Sequence, residues 1–285
     1  MRTLKPLKML FNPQLLPIAL CFLYGLAHAQ DVRSPVCASD GQPTPAVLVE
    51  RFISADCEKC WGAPSPAVTA KLPARALALD WITPSPLGDE APLSAAALRD
   101  ADARLQTLGR AQPPGDDTLV LSHPVQPPKS WGPTGTAPAS KMPPAKLRVA
   151  HGLALGGYVG TSIELKPLPA LPKKQTEAAP THTTAPWTAW LVLTETVPAG
   201  AEGSPIERRL ARNALVLDWA PENAEKTIDG NGVAAKSAAL RLIESRPLNV
   251  PTGANPDRLG VVGWVQDADG RVLAAAASRC KPLKP

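Results

Sequence analysis

The chain is short of several things at once. Histidine occurs four times in 285 residues, and beside seven tryptophans stand only three phenylalanines and two tyrosines. Charged residues make up 19% and the net charge at pH 7 is +5. Arg2, Lys5 and Lys8 carry three of those charges, so the chain beyond them is near +2 (5 − 3). So small a surplus argues against a nucleic-acid or membrane-surface partner. No G-x-S-x-G, H-E-x-x-H or Walker sequence is found, which leaves hydrolase, metalloprotease and kinase readings without residues. Gly152, Gly156, Gly157 and Gly160 are wrongly spaced for a dinucleotide fingerprint and read better as a hairpin. There is no heptad and no repeat of fixed period.

What is abundant is proline, 34 residues, against an apolar share of 44%. That much proline argues against a mostly helical protein, while the apolar share is enough for a buried core. The basic start is followed by the mostly apolar run Leu15–Ala27 and by Ala27-His28-Ala29. As a helix this run would reach about 20 Å, short of a bilayer's hydrocarbon layer. Residues 1–29 therefore read as a secretory signal peptide cut before Gln30, and the expected location is periplasmic or secreted. No later segment is suited to crossing a membrane. Cys21 would leave with the leader, and Cys37, Cys57, Cys60 and Cys280 would remain. Four cysteines in an exported chain suggest disulfides and allow three connectivities. The favoured one is Cys57–Cys60 with Cys37–Cys280, the second pair having a structural role.

Along the chain, the β-branched and apolar runs Ala46–Ile53 and Arg75–Ile82 read as strands. A short helix is expected from Ser65, with Pro66 in its first position. Leu98, Ala101, Leu105 and Leu108 mark a longer helix within Leu93–Leu108, stopped by Gly109. Residues 111–146 form a proline-rich insertion in which only Thr118–Ser122 resembles a strand. Leu147–Leu165 reads as two strands folded at Gly156-Gly157, and 167–186 as a proline-rich linker. Trp187–Val197, Arg209–Trp219, Ala238–Val250, Leu259–Gln266 and Arg271–Ser278 are strand-like, the last two joined at Asp269-Gly270. The fold expected is α/β plus β: an α/β domain over 30–166 and a β-sandwich over 187–285.

A strand running into C-x-x-C with a helix beyond is the thioredoxin arrangement. At a helix N-terminus a thiolate faces unpaired backbone N–H groups, so the first sulfur becomes nucleophilic and the second can resolve a mixed disulfide. Val49-Glu50-Arg51-Phe52-Ile53-Ser54-Ala55-Asp56-Cys57-Glu58-Lys59-Cys60 resembles the E-L-F/Y-T-S-x-x-C-S-S-C signature of a family of predicted secreted bacterial proteins. The segments Leu77–Trp81 and Arg258–Cys280 are similar to that family's second strand and closing strands. The resemblance implies a thioredoxin-like N-terminal domain, with Cys57 attacking and Cys60 resolving. It also aligns Arg148-Val149-Ala150-His151-Gly152 with the family's R-V-x-T-P segment, placing His151 across from the two sulfurs. Gly152 then stands where a thioredoxin has its cis-proline, and Trp61-Gly62-Ala63 separate Cys60 from the next proline, so an exchange site would be atypical.

Three functions compete. The first is thiol–disulfide exchange on other exported proteins through Cys57 and Cys60, with Glu50 as a buried carboxylate taking up a proton. The second is a non-enzymatic binding or scaffold module stapled by two disulfides, with Glu50 turned to solvent and Trp61 packing beside the cysteines; strand alternation favours this orientation of Glu50. The third is a copper or zinc carrier using Cys57, Cys60 and His151. No cofactor and no bound metal is expected, and the sequence does not specify an oligomeric state.

Overall fold

In the computed structural model, residues 37–128, 145–168, 187–220, 225–226 and 240–280 are described. The expected signal peptide, the heart of the expected proline-rich insertion and nearly all of the expected 167–186 linker lie outside them. All of the described residues fall within one compact unit. Its strands are β1 (Cys37–Ala38), β2 (Val47–Ser54), β3 (Ala76–Thr83), β4 (Thr118–Pro124), β5 (Lys146–Leu155) and β6 (Tyr158–Leu168). They continue with β7 (Trp187–Val197), β8 (Arg208–Trp219), β9 (Glu225–Lys226), β10 (Leu240–Asn249), β11 (Leu259–Gln266) and β12 (Val272–Ala277). Three α-helices are present among the described residues, α1 (Glu58–Gly62), α2 (Pro66–Thr69) and α3 (Arg99–Thr107), besides short 3-10 turns.

Two sheets result. A seven-stranded sheet runs in the order β12-β11-β7-β8-β3-β2-β4, and a five-stranded sheet in the order β1-β5-β6-β10-β9. Period-two alternation decides which core each residue joins. On β7, Leu191 and Leu193 enter the core shared with Val149, Ile163 and Leu165 of the smaller sheet. Trp190 and Val192, between and beside them, point to the opposite face, where Trp264, Trp81, Phe52 and Leu105 of α3 meet them. The large sheet is therefore covered on one face by the small sheet, sandwich-fashion, and on the other by α3.

The thioredoxin-like domain expected from the sequence does not form. Strands β2 and β3 are parallel, but only α1 and α2, of five and four residues, lie between them. Pro64, Pro66 and Pro73 interrupt that connection, so no helix there can grow long enough to cover a sheet. The free edge of β3 is instead taken by β8, parallel, through the pair Asp80–Leu210. Since β8 pairs along its length with β7, both halves of the chain share one sheet. The result is a mostly β, sandwich-like framework.

Gly263 allows the two sheets to approach. A Cβ at this position would lie 2.7 Å from Val149 Cγ1, 3.0 Å from Ile163 Cδ1 and 3.2 Å from the Trp190 carbonyl oxygen. Gly263→Ala should therefore lower stability by about 1–3 kcal/mol in urea denaturation. Adding Val149→Ala should recover part of the loss, whereas additive penalties would show that the two positions do not clash.

Candidate functional site

Cys57 lies three residues beyond β2 and caps α1: its Sγ accepts the Cys60 N–H at 3.2 Å. A helix thus opens at Glu58, ahead of the one expected at Pro66, which also forms as α2; Cys57 is the N-cap of α1 and Cys60 lies in its first turn. They are joined to each other as a disulfide, and Cys37 is joined to Cys280. Both members of the first pair are buried, at 2% and 5% exposure, in a cluster with Ile53, Ile82, Trp61, Val197 and Leu210. Trp61 packs over this region and is fixed there, its indole N–H donating to the Glu202 carbonyl at 2.7 Å. Glu202 takes a left-handed φ of 50°, followed by Gly203 at 74°, and this turn aims the carbonyl at the indole. A cleft of about 300 Å³ runs past Cys60, bounded by Lys59, Pro64, Asp116 and Thr118.

A buried ionic network anchors the cysteine helix from below. Register places Arg51 of β2 beside Asp80 of β3, and Arg51 donates to Asp80 Oδ2 at 2.7 Å. Arg208, at the start of β8, donates to Asp80 Oδ1 at 3.1 Å and to the carbonyls of Cys60 and Trp61 at 3.0 and 3.2 Å. The Arg209 backbone N–H adds a further bond to Asp80 Oδ2 at 3.0 Å. The Arg208 guanidinium also stacks 5.1 Å from the Trp61 ring centroid. One fully buried carboxylate therefore fixes β2, β3, β8 and the backbone of the C-x-x-C turn together.

Glu50 is neither turned to solvent nor near the cysteines. It is fully buried, and alternation along β2 places it on the face opposite Arg51, toward α3. Arg104 of α3 grips its carboxylate with bonds of 2.7, 3.0 and 3.2 Å, Trp81 donates to it at 3.0 Å, and His123 Nε2 lies 3.1 Å away. The remaining Arg104 nitrogen donates to Gln266 at 2.9 Å, and the guanidinium lies about 5 Å from the centroids of both Trp190 and Trp264. Burial alone would raise the Glu50 pKa, but the facing Arg104 charge, with His123, outweighs it and pulls the value down to about 2.

His151 and Gly152 are also not at the C-x-x-C. His151 stands opposite Cys37 in the β1–β5 ladder, so its ring belongs with the Cys37–Cys280 disulfide. Its Nδ1–H donates to the Gly152 carbonyl at 2.9 Å, and burial lowers its pKa. A third metal ligand beside Cys57 and Cys60 is therefore not supplied by His151. Gly152 falls where the β5–β6 register slips by one residue, between His151 and Ala154. It marks a bulge rather than the site of a missing proline.

Asp80, Arg104 and Arg208 were not singled out as site residues by sequence reasoning. The available signal was adjacency: Glu50-Arg51 within an apolar strand puts one charge on each face, and each needs a buried counterpart. No family model and no curated protein matches the chain. Among solved structures it is similar to the protein AGR_C_4864 from Agrobacterium tumefaciens, at 11% identity over 86% of this chain and 98% of that one, with a TM-score of 0.39.

The low pKa of Glu50 has a consequence for stability. Above pH 4.5 the carboxylate is ionised whether the chain is folded or not, and its contribution is complete. As the pH falls from 4.5 toward 2 the unfolded chain takes up a proton that the folded one refuses, so stability drops through this window. Glu50→Gln, which strands Arg104, should cost about 3–5 kcal/mol at neutral pH. Urea titrations should also show its stability varying less with pH across that window; an unchanged slope would mean that another group dominates. Asp80→Asn strands two arginines and should be at least as destabilising.

Proposed function

We propose that this is an exported, non-enzymatic binding or scaffold module in which Cys57–Cys60 is a structural disulfide. The observation that carries this reading is the burial of both sulfurs beneath Trp61, with the Cys60 carbonyl tied through Arg208 to the buried Asp80. Exchange needs an attacking thiolate to reach a sulfur, and both cysteines are almost fully withdrawn from solvent. Export is supported by two formed disulfides, since such bonds persist in oxidising compartments. The resemblance of Val49–Cys60 to the secreted family's signature points the same way. Among the described residues no helix is long and apolar enough to cross a membrane.

A second reading, thiol–disulfide exchange on other exported proteins, has one observation in its favour. Cys57 Sγ accepts an amide N–H at the start of α1, an environment that stabilises a thiolate, and Cys60 borders an open cleft. A redox titration with mass-resolved thiol labelling separates the two. A structural pair should titrate at a potential below about −300 mV and resist dithiothreitol until the fold melts. Arg208→Met, which frees the cysteine turn, should make it labile. Ready reduction of the parent at a higher potential, with Cys57 titrating below about pH 7.5, would establish exchange instead.

A further inference from the structure

Most of the described arginines have a carboxylate partner. Buried Arg51 and Arg208 share Asp80, Arg104 holds Glu50, and Arg212 lies 3.4 Å from Glu195. Arg148, Arg241, Arg246, Arg258 and Arg271 also have carboxylate partners. Among the described residues, Arg75, Arg99, Arg110, Arg209 and Arg279 make no such ion pair, and three of these, Arg75, Arg209 and Arg279, line one cleft of about 410 Å³. The rest of its wall mixes polar residues such as Ser39, Gln42 and Thr44 with apolar ones such as Leu77 and Leu147, and includes no aspartate or glutamate.

The three come from distant parts of the sequence and are held independently. Arg75 precedes β3 with a left-handed φ of 58°, a conformation unusual for a side-chain-bearing residue, and its carbonyl is held by the Ala46 N–H at 2.9 Å. Its guanidinium makes only a 3.4 Å contact to the Thr44 carbonyl. Arg209 follows the network arginine on β8, and its head reaches only the Ala78 carbonyl at 3.5 Å. Arg279 is clamped by backbone bonds to Ala38 on both sides and adjoins the Cys37–Cys280 disulfide. Burial lowers the Arg209 pKa; Glu207 and Asp80 oppose this, while Arg279 and Arg51 repel it further. Three guanidinium groups converge on one concavity with no carboxylate in its wall, two of them exposed, and this arrangement suits a multivalent anion that can accept from more than one of them.

We propose that this cleft binds a small multivalent oxyanion, an organic di- or tricarboxylate or a phosphoryl compound. This ligand class rests on the binding-module reading, and the two can fail separately, because anion binding does not depend on the reactivity of Cys57 and Cys60.

Calorimetric titration of the oxidised full chain with citrate, and separately with inorganic phosphate, tests it at ionic strength held constant with sodium chloride. One saturable site is expected for at least one probe; the tighter binder assigns the ligand to the carboxylate or the phosphoryl class. Arg279→Ala and Arg75→Gly should each weaken that binding by about fivefold or more. Glycine accepts the φ at position 75 without strain, so Arg75→Gly should leave the melting temperature of the ligand-free protein unchanged or raised. Absence of a saturable site for either probe, or affinity unchanged in both variants, would overturn the proposal.

Discussion

The structure depends on the matching of charges that have been taken out of water. Two carboxylates on neighbouring strands, Glu50 and Asp80, are both fully buried and face opposite sides of the same sheet. An isolated ion in such surroundings costs several kcal/mol, so each position is tenable only because arginines from other elements reach it. Glu50 obtains Arg104 and thereby docks α3. Asp80 obtains Arg51 and Arg208 and thereby brings β8 and the cysteine turn onto β3. The parallel β3–β8 contact is a single ladder pair. The ion network at that junction supplies the specificity that one pair of backbone bonds cannot.

Aromatic packing extends the same arrangement on the α3 side. Phe52 stacks on Trp81, Trp81 meets Trp190 edge-on, and Trp190 stacks on Trp264 at a centroid distance of 5.4 Å. Arg104 lies within about 5 Å of the last two rings, so its charge is shared between a carboxylate and two π faces. The scarcity of phenylalanine and tyrosine in the sequence is thus offset by tryptophans placed in adjoining strands. A helix as polar as Arg99–Thr107 can cover a tryptophan-rich surface because its one buried arginine finds partners of both kinds.

Strand positions were largely legible. Trp187–Val197 and Leu259–Gln266 begin and end where their apolar patterns do, and Asp269-Gly270 makes the turn expected of it. Both cysteine pairings form as favoured. Sheet membership was not legible, because a period of two tells which face a residue takes but not which strand lies beside it. That is why residues 46–83 suggested an α/β domain when β8 was to join them. Glu50 was misjudged for a related reason: alternation gives it a face, but only α3, 54 positions away in sequence through Arg104, makes that face an interior one. His151 followed the strand alignment to the wrong disulfide, because nothing local to it reveals that β1 pairs with β5.

The Cys37–Cys280 bond spans 243 positions and joins the two ends of the framework. Between those ends the molecule is, covalently, a loop rather than a line. A single backbone cut in any of its turns therefore cannot separate the pieces, and a nicked molecule keeps one mass and one set of neighbouring strands. That closure turns a first cleavage from a loss of chain into an internal scar.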